Sequence, residues 1–131
     1  MIIDTSALLA ILLDEPESEA LVRAIVASRS RSVGAATLVE AAAVMRARKG
    51  DAGEVALDAL LERLSIDTRP LSADAAAVAR QAYRRFGKGV GSPGVLDYGD
   101  CLAYGTAVAV GEPLLFKGDD FARTDIAAAP Y

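Results

Sequence analysis

Met1-Ile2-Ile3-Asp4-Thr5-Ser6-Ala7-Leu8-Leu9-Ala10-Ile11-Leu12-Leu13 opens the chain with a single charged residue, Asp4. The residues on either side are apolar and favour burial, so the acid is expected at or near the core. A carboxylate withdrawn from water is costly unless a cation or hydrogen bonds compensate. Met1–Ile3 reads as a short buried strand. Thr5 or Ser6 is expected to cap a helix running to about Leu13.

The pattern continues outward from that segment. Pro16 marks a new start, and Glu17 to Ser28 has helical spacing. Ser32–Ala36 reads as a second strand. Thr37 is expected to open a helix to Lys49, with Gly50 as its stop. A further helix spans Gly53 to Leu64, and Ser65–Thr68 is a weaker strand, ended by Arg69-Pro70. Ser72 caps a helix from Ala73 to Phe86. Gly87–Gly94 is a loop. Asp97 to Val110 is helical with Gly111 beyond, and Pro113–Phe116 is a buried strand. Short apolar strands alternating with helices imply an α/β fold, with a short central parallel sheet covered by helices on both faces. In such sheets ligands gather beyond the carboxyl ends of the strands. Asp4 falls just past the first strand, and Asp119 and Asp120 just past the last.

Composition narrows the chemistry. The chain has 131 residues, 53 % of them hydrophobic, which suits one domain, residues 1–131, with a sizeable core. One cysteine leaves no disulfide within the chain and fits a reducing compartment. The opening apolar run is too short to span a bilayer and lacks a preceding basic region. A soluble cytoplasmic protein without membrane contact is the expectation. The net charge of −4 does not advertise nucleic-acid binding, although a local basic patch matters more than the sum. Histidine is absent, which excludes an imidazole base, nucleophile or zinc ligand on this chain.

Several acids sit in apolar company. Glu40 shares a helix face with Ala43, Val44 and Ala47. Asp100 precedes a helical stretch with no further charge, the mark of a buried helix. Each acid also has a local explanation. Thr37-x-x-Glu40 is a capping-box pattern. Asp100 favours a helix dipole, with Asp97 as the cap. Asp119-Asp120 suits a turn, and Asp4 could be a cap itself. Taken together, four chain segments deliver acids to one end of an α/β layer. Glu15 and Glu17, by contrast, lie in a polar stretch and read as solvated surface. Clustered carboxylates need cations. All-oxygen ligation selects Mg²⁺ or Mn²⁺, which suits hydrolysis of a phosphodiester. Positive charge for such a substrate could come from Arg46, at the end of the Glu40 helix, or from Arg84, Arg85 and Lys88 at the glycine loop. Complementing helix C-termini is the alternative use of these residues. Cys101 reads as a small buried residue.

Met-Ile-Ile-Asp4-Thr5-Ser6-Ala, Leu38-Val-Glu40, Asp97-Tyr98-Gly99-Asp100-Cys101 and Leu114-Leu-Phe-Lys-Gly-Asp-Asp120-Phe121 occur in an order that resembles the PIN domain. More narrowly, it resembles the VapC toxins of type II toxin–antitoxin pairs. The resemblance spans the whole chain. It implies a Mg²⁺-dependent endoribonuclease acting on RNA, silenced by a VapB-type antitoxin and commonly homodimeric. Asp4, Glu40 and Asp100 match the family's three main acids, with Asp4 and Asp100 as the main metal ligands. Asp120 matches the fourth, with Asp119 beside it. Thr5 and Ser6 match the polar pair that holds the first acid. Asp97 stands where the family usually has Asn. Two other readings stay open: a housekeeping PIN-domain RNA-processing nuclease, and a non-catalytic module whose acids hold a structural ion. A haloacid-dehalogenase-like phosphatase would want a second Asp at Ser6. A receiver domain would want an acidic pair where Asp4 stands alone.

Overall fold

Ile2 and Ile3 are fully buried, and they face opposite sides of the sheet. They form β1 (Ile2–Ile3) in the computed structural model, which describes residues 1–131. Ile3 joins a core layer with Leu8, Leu21, Ile25, Val33, Leu57, Leu60 and Leu115. Ile2 joins the other layer, with Phe86, Leu96, Tyr104, Leu114, Phe116 and Phe121. Each such side chain stabilises the fold by roughly 1.5–3 kcal/mol when fully buried.

The chain then runs through α1 (Thr5–Leu12), α2 (Ser18–Ala27), β2 (Ser32–Gly34), α3 (Ala35–Lys49) and α4 (Asp51–Arg63). It continues through β3 (Asp67–Arg69), α5 (Ala73–Phe86), α6 (Tyr98–Val110) and β4 (Leu114–Leu115). A 3₁₀ turn follows at Phe121–Arg123. The sheet order is β3-β2-β1-β4, with every pairing parallel. β1 pairs with β2 on one side, Ile3 opposite Val33, and with β4 on the other, Ile3 opposite Leu115. The connections therefore leave β1 in both directions. Its carboxyl end is the switch point at which open α/β sheets form a crevice, and Asp4 is the next residue.

The expected α/β architecture holds, with three local differences. Asp4 itself caps α1, its side chain accepting from the Ser6 N–H, where Thr5 or Ser6 was expected to do so. β3 begins at Asp67, because Ser65 has a φ of +50° and closes α4 as a turn residue. All three β3 residues are exposed, as suits an edge strand, which explains the weak apolar signal. Finally, α3 starts at Ala35, and the Thr37–Glu40 capping box does not form. The helix begins where Gly34, extended at the end of β2, comes close to Thr106 of α6. Thr37 is consequently buried inside the first turn, and Glu40 stands in the second.

Candidate active site

Asp4 is 3 % exposed. Its Oδ2 accepts from the Ser6 N–H at 2.9 Å and from the Ser6 hydroxyl at 2.6 Å. The Ser6 hydroxyl in turn accepts from the main-chain N–H of Lys117 at 3.0 Å, which ties α1 to the end of β4. Burial lifts the Asp4 carboxyl above the usual carboxylate range, the two Ser6 hydrogen bonds oppose the rise, and the charge of Glu40 adds to it.

Glu40 is placed by long-range contacts rather than by its own helix. Its Oε2 accepts from the Thr5 hydroxyl at 2.6 Å. On the other side lies Gly99, in the first turn of α6. A Cβ at Gly99 would stand 2.4 Å from Glu40 Oε1 and 2.8 Å from Cδ. The missing side chain is what lets the Glu40 carboxylate of α3 lie against the first turn of α6. Gly99→Ala is therefore expected to push the Glu40 carboxylate off Thr5. Alanine is worth up to about 1 kcal/mol more than glycine inside a helix. The RNA cleavage that the family resemblance implies should fall at least about tenfold, by the scale of a misplaced reacting group, with no loss in thermal melting temperature. Equal cleavage rates for this variant and wild type would show that Glu40's position does not matter.

Asp100 forms a capping box with Asp97. The Asp97 side chain accepts from the Asp100 N–H at 2.9 Å, and Asp100 Oδ2 accepts from the Asp97 N–H at 2.8 Å. The local reading of these two residues is thus correct, but it does not neutralise them. Asp100 is pushed up to about 7, chiefly by burial, with the charges of Asp97 and Asp4 contributing. The Asp97 N–H and the charge of Lys88 work in the opposite direction. Lys88 also pairs with Asp120, its Nζ 3.7 Å from Oδ2. Neighbouring Cys101 is buried and its thiol is pushed up to about 11 by burial and by Asp100, so it is a poor nucleophile.

Asp4, Thr5, Ser6, Glu40, Asp97, Asp100, Asp120 and Lys88 are therefore linked by contact or charge around the switch point. Asp119 is exposed beside Asp120. The candidate substrate cations divide. Arg46 is engaged by Asp51 and Glu54 at the α3–α4 corner. Arg85 is engaged by Asp125 at 2.6 Å, in a network that includes the Tyr104 hydroxyl. Arg84 lines a groove of about 500 Å³ with Arg80, Tyr83 and Tyr98, next to the start of α6.

No group of three Asp, Glu or Cys side chains forms a ready-made ion cage. Mg²⁺ is usually held by one or two carboxylates while it keeps several waters. Asp4 and Asp100 fit that description, since burial and neighbouring acids disfavour the charged form of each, a cost that a hard cation offsets. Two contributors escaped the sequence reading. Gly99 had a signal, a glycine in a helical pattern, which often marks close approach. Lys117 had none, because its contacts are more than a hundred residues away in sequence.

The fold is that of a PIN domain, and the PIN-domain family model matches residues 1–127. Ribonuclease VapC30 of Mycobacterium tuberculosis is 49 % identical over 127 residues, covering 97 % of this chain and 96 % of the relative. Ribonuclease VapC of Mycolicibacterium smegmatis is 48 % identical over 128 residues, covering 98 % of each. The chain belongs to the PIN-domain family and, within it, to the VapC ribonucleases. Among solved structures, Mycobacterium tuberculosis VapC20, described as a sarcin–ricin loop cleaving toxin, has the same fold. Its TM-score is 0.77 at 14 % identity, covering 99 % of this chain and 98 % of that one. VapBC2 from Rickettsia felis, bound to a DNA fragment from its promoter, has a TM-score of 0.74 at 15 % identity, covering 97 % and 94 %.

Proposed function

We propose that this chain is the toxin of a type II toxin–antitoxin pair, an endoribonuclease that uses Mg²⁺ or Mn²⁺ to hydrolyse RNA phosphodiester bonds. The observation that carries the reading is the pair Asp4 and Asp100, two carboxyls raised above their ordinary range at the switch point of a VapC-family sheet. Asp4 and Asp100 would hold the cation, and Glu40 and Asp120 complete the acidic site. A bound divalent ion supplies water activation and neutralises charge on the phosphate. Thr5 orients Glu40, Ser6 orients Asp4 and the Asp97 N–H orients Asp100. Lys88, beside Asp100 and Asp120, is the cation best placed to meet a substrate phosphate, with Arg84 on the adjoining groove.

A VapB-type antitoxin is the expected partner, in keeping with the VapBC2 assembly. Val39 and Tyr98, 69 % and 75 % exposed beside the site, offer apolar surface for a homodimer. No helix is long and apolar enough to cross a membrane, and the cytoplasm is the expected setting. The test is cleavage of single-stranded RNA by purified protein. Activity should vanish with EDTA and return with excess Mg²⁺ or Mn²⁺. Cleavage that persists in EDTA would rule out the metal. Growth arrest on expression, relieved by the product of an adjacent small gene, would identify the toxin role against a housekeeping one.

A further inference from the structure

Lys117 is the second residue past β4, with Phe116 between them and Gly118 beyond. Gly118 has a φ of +103°, so the chain is free to turn there into Asp119 and Asp120. Before that turn the Lys117 ammonium is gripped by two carboxylates. It donates to Glu15 Oε2 and lies 3.0 Å from Glu17 Oε2. Both acids belong to the α1–α2 connection, where they were expected to be solvated surface. The three side chains are only 30–37 % exposed. The main-chain N–H of the same Lys117 reaches the Ser6 hydroxyl, and Ser6 grips Oδ2 of Asp4.

We propose that Lys117 is a positioning residue: its ion triad with Glu15 and Glu17 latches the end of β4, so that its N–H sets Ser6 and, through Ser6, the carboxylate of Asp4. Ion pairs open to solvent add little to global stability, so the consequence of the latch is geometric. Any residue at position 117 offers an N–H. Only a long cation there reaches both Glu15 and Glu17 and keeps that N–H in register with Ser6. The latch's functional consequence rests on Asp4 being a metal ligand. Partners that orient a metal ligand typically change affinity by about 10–100-fold.

The test compares wild type, Lys117→Met, Lys117→Arg and the double variant Glu15→Gln/Glu17→Gln by two readouts. The first is amide hydrogen exchange in the metal-free protein. Exchange at Ser6 and at residue 117 should accelerate on the order of tenfold in the Met and double variants, while the amides of Ile3 and Val33 stay as in wild type. The second is Mn²⁺ titration, where affinity should weaken on the order of tenfold in the same variants and recover in Lys117→Arg. Unchanged exchange at Ser6 and residue 117 overturns the latch. Faster exchange with unchanged Mn²⁺ affinity overturns its control of Asp4. If wild type binds no Mn²⁺, the metal reading of Asp4 fails, and with it the latch's metal-site consequence.

Discussion

Asp100→Asn should cut RNA cleavage by at least about a hundredfold and leave the metal-free protein more stable at alkaline pH, not less. Both effects follow from the same charge. Asparagine keeps the shape and still accepts from the Asp97 N–H, so the start of α6 is preserved. What disappears is a carboxylate that burial, Asp97 and Asp4 all disfavour. Without an ion its removal relieves repulsion; with an ion it removes a ligand. Metal-ion stabilisation of a transition state is worth several kcal/mol, and each factor of ten in rate is about 1.4 kcal/mol. The measurement is a single-turnover cleavage rate beside a thermal melt in EDTA. A wild-type rate would remove Asp100 from the site. A large drop in melting temperature would mean that the acid is structural.

The second large effect is a pH dependence. Asp4 and Asp100 have raised carboxyls in the folded chain. Between the ordinary value near 3.8 and about 7, the native state binds more protons than the unfolded one. The stability Asp100 contributes is fully present below the ordinary value and is lost as pH rises through about 7, and the raised Asp4 acts in the same direction. The metal-free protein should therefore lose melting temperature between about pH 5 and about pH 8, and Asp100→Asn should lose less of it. Mg²⁺ binds the ionised form, so its stabilisation should grow over the same interval. One kcal/mol is worth roughly 4 °C at this chain length, so a difference of a few degrees between the two pH values is readable. A Mg²⁺ shift that is the same at both would show that the ion does not bind through these carboxyls.

Much of this architecture is legible in the sequence because it is written in local patterns. Ile2-Ile3 before Asp4, the glycines after α3, α5 and α6 and the charge-free run after Asp100 place strands, stops and the buried helix within a few residues. The acids are legible for the same reason, each being a charge among apolar neighbours. The misreadings have a common cause. The start of α3 is decided by α6 approaching Gly34. Glu40 is held by Thr5 and made room for by Gly99, not by the capping pattern around Thr37. Glu15 and Glu17 are paired with a lysine at the other end of the chain, and Arg85 with Asp125. Each is a contact between distant segments, for which one sequence carries no local mark beyond the glycine at position 99 in a helical pattern. The resemblance to VapC toxins is what supports the common role proposed for the acids, which spacing alone leaves open between an ion site and a set of caps.

β1 has only two residues, and its consequence reaches beyond the sheet. Ile2 is keyed into one core layer and Ile3 into the other, and Asp4 is bonded directly to the second of them. In a longer strand a misfit in the core can dissipate over several residues before it reaches the end. Here there is no run-out: the acid is the tip of a peg driven through both layers at once. Such a tip cannot be swung aside without loosening the whole interior, so control of this site has to come from what reaches Asp4 or shields it, not from bending the chain that carries it.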